Sequence, residues 1–205
     1  MRPRANQPEP VSPRTHSCKT LTIRKMKPEK TFSNLNSSNY ELKNLKEFVF
    51  DKCGFNLTNI HHNQESLEYA ACSFQLNGKS IQFRSSKITP TKTGQFATIW
   101  KRNNDGITEP FDTSDDIDFL IITSKSGDNF GLFIFPKSVL IENGIITNNS
   151  KKGKRGMRVY NTWDIAPNKQ AERTQRWQTK HFISINKDDI NGLEFLEKFE
   201  LALNI

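Results

Sequence analysis

The sequence predicts an α+β fold: a mostly antiparallel, barrel-like sheet of about seven strands, with an N-terminal helix, a short connecting helix and two C-terminal helices. Three observations carry that expectation. Between Leu67 and Tyr160, apolar residues alternate or run in short blocks bounded by Gly, Asn and Pro, as strands do. Asn77-Gly78 is a strong hairpin signal and Gly127-Asp128 marks a second turn, so neighbouring strands are expected to run antiparallel. Helical periodicity is confined to the two ends of the domain and one short central stretch.

Taken in order, residues 1–38 are rich in Pro, Ser, Asn, Arg and Lys and predict a disordered basic tail. Residues 39–205 are read as a single domain. Asn39 is placed to cap a helix over 40–53, with Leu42, Leu45, Val49 and Cys53 on one face and Gly54 as its stop. The His61-His62 pair falls in a polar loop, and adjacent histidines diverge on helix or strand alike, so a shared metal is not expected. Strands are expected from Leu67 to the Asn77-Gly78 turn, over Ile81–Lys87 and over Gln95–Lys101. The last two are joined by a turn in which Pro90 fixes φ and Gly94 permits φ > 0. Ile117–Thr123 and Phe130–Phe135 are further strands; Pro136 opens a helix over 137–143, Gly144 ends it, and Ile145-Ile146 starts another strand. After a short strand at Met157–Tyr160, Asn168–Ser184 reads as helix, with Ala171, Thr174, Trp177 and His181 aligned. Asp188 is placed to cap a final helix reaching about Asn204, striped by Leu193, Leu196, Phe199 and Leu203.

Charge narrows the function classes. The net charge is +8, but the tail holds eight Lys/Arg against two Glu, and the remaining 22 against 20 leave the domain at only +2. The domain is nearly neutral and segregated. Two blocks contain no acid: 79–102 carries six cations and 151–158 carries five. Between them Asp105, Glu109, Asp112, Asp115, Asp116 and Asp118 follow one another without a Lys or Arg. No apolar run approaches the roughly 20 residues of a membrane helix, so no membrane partner is expected. With no apolar h-region at the N-terminus and no CxxC pair among Cys18, Cys53 and Cys72, a reducing, cytoplasmic setting is expected, with neither disulfides nor zinc.

An anionic backbone suits the basic blocks. Arg84, Arg102, Arg155 and Arg158 offer bidentate forks to phosphate, and Lys87, Lys92, Lys101, Lys151, Lys152 and Lys154 offer point charges. Trp100 is placed to stack on an exposed base. Catalysis finds less footing. Ser85-Ser86-Lys87 and Thr123-Ser124-Lys125 have a lysine where a nuclease core needs one, but lack the acid two residues earlier that would hold Mg²⁺. Asp112, Asp116 and Asp118 are the alternative metal ligands, for a phosphodiesterase-like enzyme. No P-loop, nucleophile elbow or dinucleotide fingerprint is present, and no cofactor is expected.

Five motifs in order carry a resemblance: IQFRSSKITPTKTGQFATIWKR, PFDTSDDIDF, FGLFIFPKSVLIENGII, GKRGMRVYNTWD and QAERTQRWQTKHF. Over roughly Tyr69 to Phe182 the chain resembles the MepB family of bacterial proteins. It departs from the family pattern at Asn161-Thr162, where prolines are expected. The resemblance implies a fold similar to the DNA-binding pseudobarrels found beside restriction nucleases and in plant transcription factors, though a fold alone does not fix a function. Such a fold presents a loop-and-strand pair to the major groove, which would bring Thr91, Thr93 and Gln95 to base edges. The expectation is a non-enzymatic module whose partner is nucleic acid, DNA first, held by the two basic blocks on one face. A metal-dependent enzyme and a regulatory protein-interaction domain stay open as alternatives.

Overall fold

The computed structural model describes residues 38–52, 54–185 and 193–203. The tail, Cys53, the Asp188 cap and the Asn204 end of the last helix lie outside the described residues. Helix α1 (Ser38–Leu45) runs into a π-helical turn, Lys46–Phe50, and buries Leu42, Leu45, Val49 and Phe50. Strands follow as β1 (Leu57–His62), β2 (Cys72–Leu76), β3 (Lys79–Ser85), β4 (Lys87–Thr89), β5 (Lys92–Thr98), β6 (Lys101–Arg102), β7 (Thr108–Glu109), β8 (Phe119–Ser126) and β9 (Asn129–Pro136). Helix α2 (Lys137–Glu142), β10 (Gly156–Val159), α3 (Lys169–Gln178), β11 (Phe182–Ser184) and α4 (Leu193–Leu203) complete the chain.

The architecture is mixed α+β, and the sheet does not close into a barrel. A six-stranded sheet in the order β1-β2-β3-β8-β9-β11 ends in two separate edges, a three-stranded sheet runs β10-β5-β4, and β6-β7 form a small ribbon. All pairings are antiparallel except β3 with β8, so the expectation of a mostly antiparallel arrangement stands and that of one barrel-like sheet does not. The Asn77-Gly78 hairpin forms with φ of 49° and 79°, a type I′ geometry matching the twist of the strands it joins.

Burial explains the second sheet. Phe83, Phe119, Ile121, Leu132 and Ile134 face a core shared with α1 and α4, where Phe199 and Leu203 are fully covered. Their neighbours in sequence, Leu120, Ile122, Phe133 and Phe135, point to the opposite face and meet Ala97, Met157 and Val159 of the second sheet and Ile99 just past β5. The central strands are therefore buried on both faces, which is why β8 and β9 read as continuous apolar runs.

Several element boundaries move for physical reasons. The strand expected over 81–87 breaks at Ser86, whose hydroxyl lies 2.8 Å from Thr123 O and 2.7 Å from Gln95 Oε1, so β3 stays in one sheet and β4 joins the other. His61 and His62 lie on the edge strand β1, exposed, where a loop is expected. Ile145 and Ile146 are buried but form no strand. The helix expected to reach Ser184 stops early: after a 3₁₀ turn at Thr179–His181, Phe182 and Ile183 pair with Phe133 and Leu132 of β9. An available strand edge outweighs weak helical propensity in this segment.

Candidate nucleic-acid interface

Most of the first basic block is committed elsewhere. Arg84 is only 3% exposed and turns toward the second sheet, its guanidinium Nη1 donating to Phe83 O at 2.7 Å and Cys72 O at 3.4 Å. Burial pulls it down to about 10 and pushes the neighbouring Cys72 thiol up to about 12. It holds strands together and cannot reach a phosphate. Gln95 is buried as well, donating through Nε2 to Lys125 O at 3.0 Å, so it reads no base edge. Lys87 pairs with Glu68 at 2.7 Å, and Arg102 donates from Nε to Glu65 at 2.6 Å while its guanidinium lies 5.7 Å from the Trp100 ring centroid. Trp100 is half-buried and already in contact with that cation.

Lys101 is neutralised by the acidic segment. Its ammonium lies 2.6 Å from Asp112, 2.7 Å from Asp115 and 3.5 Å from Glu109. Hydrogen bonds from Lys101 and Ser114 hold the Asp112 carboxyl down at about 2. Asp116 and Asp118 turn away, accepting from Ser80 Oγ at 2.9 Å and Ser80 N at 2.8 Å respectively. The three aspartates expected as metal ligands therefore do not converge, and among the described residues no group of three or more His, Cys, Asp or Glu is arranged to hold a metal ion. The segment satisfies a lysine and the start of β3 instead.

The remaining cations come together by strand pairing. β10 runs antiparallel to β5, with Arg158 opposite Phe96 and Val159 opposite Gln95, which brings the second block beside the turn carrying Lys92. A groove of about 880 Å³ lies along this sheet and α3. Lys92, Lys154, Arg158 and Arg173 line it, with Phe96, Tyr160 and Trp177 among its rings, and among the described residues no Asp, Glu, His or Cys borders it. Among the described residues none of the four cations makes an ion pair. Arg158 spends most of its donors on the turn: Nη1 bonds the carbonyls of Lys92, Thr93 and Gly94 (2.9 Å to the last) and Nη2 bonds Thr89 Oγ1 at 3.0 Å. It fixes the turn that presents Lys92, Thr91 and Thr93, all three exposed, and adds an uncompensated charge.

Lys151 and Lys152 border a second, smaller hollow together with Glu109 and Asp112, so their field is partly cancelled. Arg155 is exposed and donates to Thr108 Oγ1 at 3.2 Å. Of the expected contact residues, Lys92, Lys154 and Arg158 thus share the groove, and Thr91 and Thr93 flank it.

Helix α3 contributes what sequence reasoning missed. Asn168 caps it, its side chain accepting from Ala171 N at 2.9 Å, and Gln178 is fully buried, bonding Tyr160 N and Arg158 O to hold the helix on β10. Trp177 packs on Phe135 at 5.2 Å between centroids, and the edge of His181 meets the same ring. Burial, aided by Lys180, lowers the His181 pKa. Reading α3 by its apolar side hid Arg173, which reaches the groove; the signal was the cationic spacing on the opposite face.

These features define a mixed α+β protein with a second, smaller sheet bearing a cationic groove. A family model described as MepB-like matches residues 63–184, more than half of the chain, and the protein belongs to the MepB-like family. The crystal structure of MepB resembles it with a TM-score of 0.63 at 32% sequence identity, covering 72% of this chain and 99% of that one. Comparison with curated proteins finds no match.

Proposed function

We propose that the protein is a non-enzymatic nucleic-acid-binding module that holds phosphates in the groove between the β10-β5-β4 sheet and α3. The observation that carries this reading is the groove itself: four cations and, among the described residues, no bordering carboxylate and no ion pair made by any of the four. A concave site lined by one sign of charge focuses its field and draws a polyanion, DNA first among those expected. Binding without chemistry fits a lining that offers no acid, base or nucleophile of the carboxylate, imidazole or thiol type. The place of action is the cytoplasm, whose reducing conditions suit the unpaired, buried Cys72. No helix among the described residues is long and apolar enough to cross a membrane.

The test is fluorescence anisotropy of the full chain on DNA across a salt series, comparing wild type, Lys92→Gln/Lys154→Gln/Arg173→Gln, and the remote surface change Lys43→Gln. Removing three phosphate contacts lowers the salt slope by about 2–3 and weakens binding, while Lys43→Gln does neither. Because the basic tail is present in every protein, only the difference between variants counts. Equal slopes for wild type and the triple variant overturn the reading.

A further inference from the structure

The groove does not end at Arg173. Lys169, Arg173, Arg176 and Lys180 recur along α3 and the 3₁₀ turn after it at steps of four, three and four residues, all exposed. At 100° per residue through α3 and 120° through the turn they fall within about 80° of one another, a single stripe about 17–18 Å long. No ion pair involves any of the four among the described residues. Glu172 borders the stripe on one side, and Glu142 of α2 lies near enough to influence His181, so the stripe is flanked by acid but not neutralised. Arg173 belongs to both stripe and groove.

We propose that the stripe and the groove are one continuous track for a single nucleic-acid strand, entered by its bases and not by the outside of a duplex. The proposal rests on the nucleic-acid reading above and narrows it. Phe96, Tyr160 and Trp177 line the groove and are each half-buried, so each ring leaves part of its surface to the groove. A duplex keeps its base faces inside its stack and could meet the stripe only through its backbone, leaving those rings without partners. A single strand offers both components at once: phosphates for Lys169, Arg176 and Lys180 along the helix, and π-faces for the rings at the groove end. The groove volume of about 880 Å³ suits a few nucleotides and not a double helix.

The experiment uses the full chain with four labelled probes: oligo(dT), the same length of abasic strand, a duplex of equal length, and an acidic polyglutamate. Wild type and Lys169→Gln/Arg176→Gln/Lys180→Gln, whose positions lie outside the groove lining, are compared over a salt series. The expected result is oligo(dT) bound roughly tenfold tighter than the abasic strand, the equivalent of one stacked base, and tighter than the duplex. The stripe variant lowers the oligo(dT) salt slope by about 2. Duplex binding as tight as oligo(dT), abasic binding equal to oligo(dT), or an unchanged slope in the stripe variant overturns the single-strand track while leaving groove binding standing. Preference for polyglutamate, or no binding of any nucleic acid, overturns both.

Discussion

Replacing Lys101 by Met removes the ammonium from three carboxylates and leaves Asp112 and Asp115 facing each other across the gap. The magnitude can be worked from the site. Asp112 is held at about 2 against an ordinary 3.8, a difference equivalent to about 2.4 kcal/mol at 1.36 kcal/mol per unit. Ser114 supplies part of this and stays in place, and the Asp112 side chain is 34% exposed, so the share lost with Lys101 falls to about 1 kcal/mol. Asp115, 20% exposed and 2.7 Å away, adds a charge-assisted hydrogen bond of about 1.5 kcal/mol. Lys101→Met is therefore expected to cost about 2–3 kcal/mol at pH 7, read as a lower urea midpoint with unchanged m-value. The pH dependence has a definite sign. A carboxyl lowered in the folded state stabilises above its unfolded value near 4, and that stability is lost as pH falls toward 2. The raised Lys101 stabilises below its unfolded value near 10 and loses that contribution only as pH climbs past it. The penalty of the substitution should accordingly be constant from pH 5 to 8 and shrink between about pH 4 and 2. A cost below about 0.5 kcal/mol at pH 7, or one equally large at pH 2, refutes the reasoning.

Three further outcomes follow from two buried positions, Arg84 and Gly94. Arg84→Met should keep stability within about 1 kcal/mol and leave nucleic-acid binding unchanged, because an apolar side chain of similar volume replaces a buried charge without a carboxylate partner. Arg84→Ala should lose about 2 kcal/mol or more to the space it empties; urea denaturation measures both, and lost binding in a stable Arg84→Met protein contradicts the burial argument. Gly94→Ala should cost about 2 kcal/mol or more and weaken groove binding. At φ +78° its Cβ would lie 2.7 Å from Val159 O and 2.8 Å from the Tyr160 ring, so the β5–β10 pairing must give way. A stability within about 0.5 kcal/mol of wild type goes against it.

What could be read beforehand depended on how local the physics was. The first helix, the Asn77-Gly78 hairpin and strands β8 and β9 follow from periodicity and turn chemistry that neighbours in sequence supply. Arg84 was misplaced because alternation with Ile81 and Phe83 correctly turns it to the other face, and an other face is usually wet. The clue was present in β8: a strand apolar at every position from Phe119 to Ile122 announces that both sides of the sheet are covered. Lys101 gave no such clue, since its three carboxylates arrive from a segment that any loop conformation could have carried elsewhere. Lys92, Lys154 and Arg158 share a groove because β5 pairs with β10, a contact across some sixty positions. The cationic face of α3 was legible in its spacing and overlooked because the helix was read from its apolar side.

The parallel neighbours β3 and β8 are separated in the chain by everything from Ser86 to Asp118, and that excursion contains β5, while β10 and α3 are supplied only later. The groove is thus stitched chiefly from two stretches, β5 and the β10–α3 segment, some sixty positions apart, so a long loop must close before they gain anything. On dilution from urea, the β5–β10 pairing that forms the groove is accordingly expected to close later than the local Asn77-Gly78 hairpin.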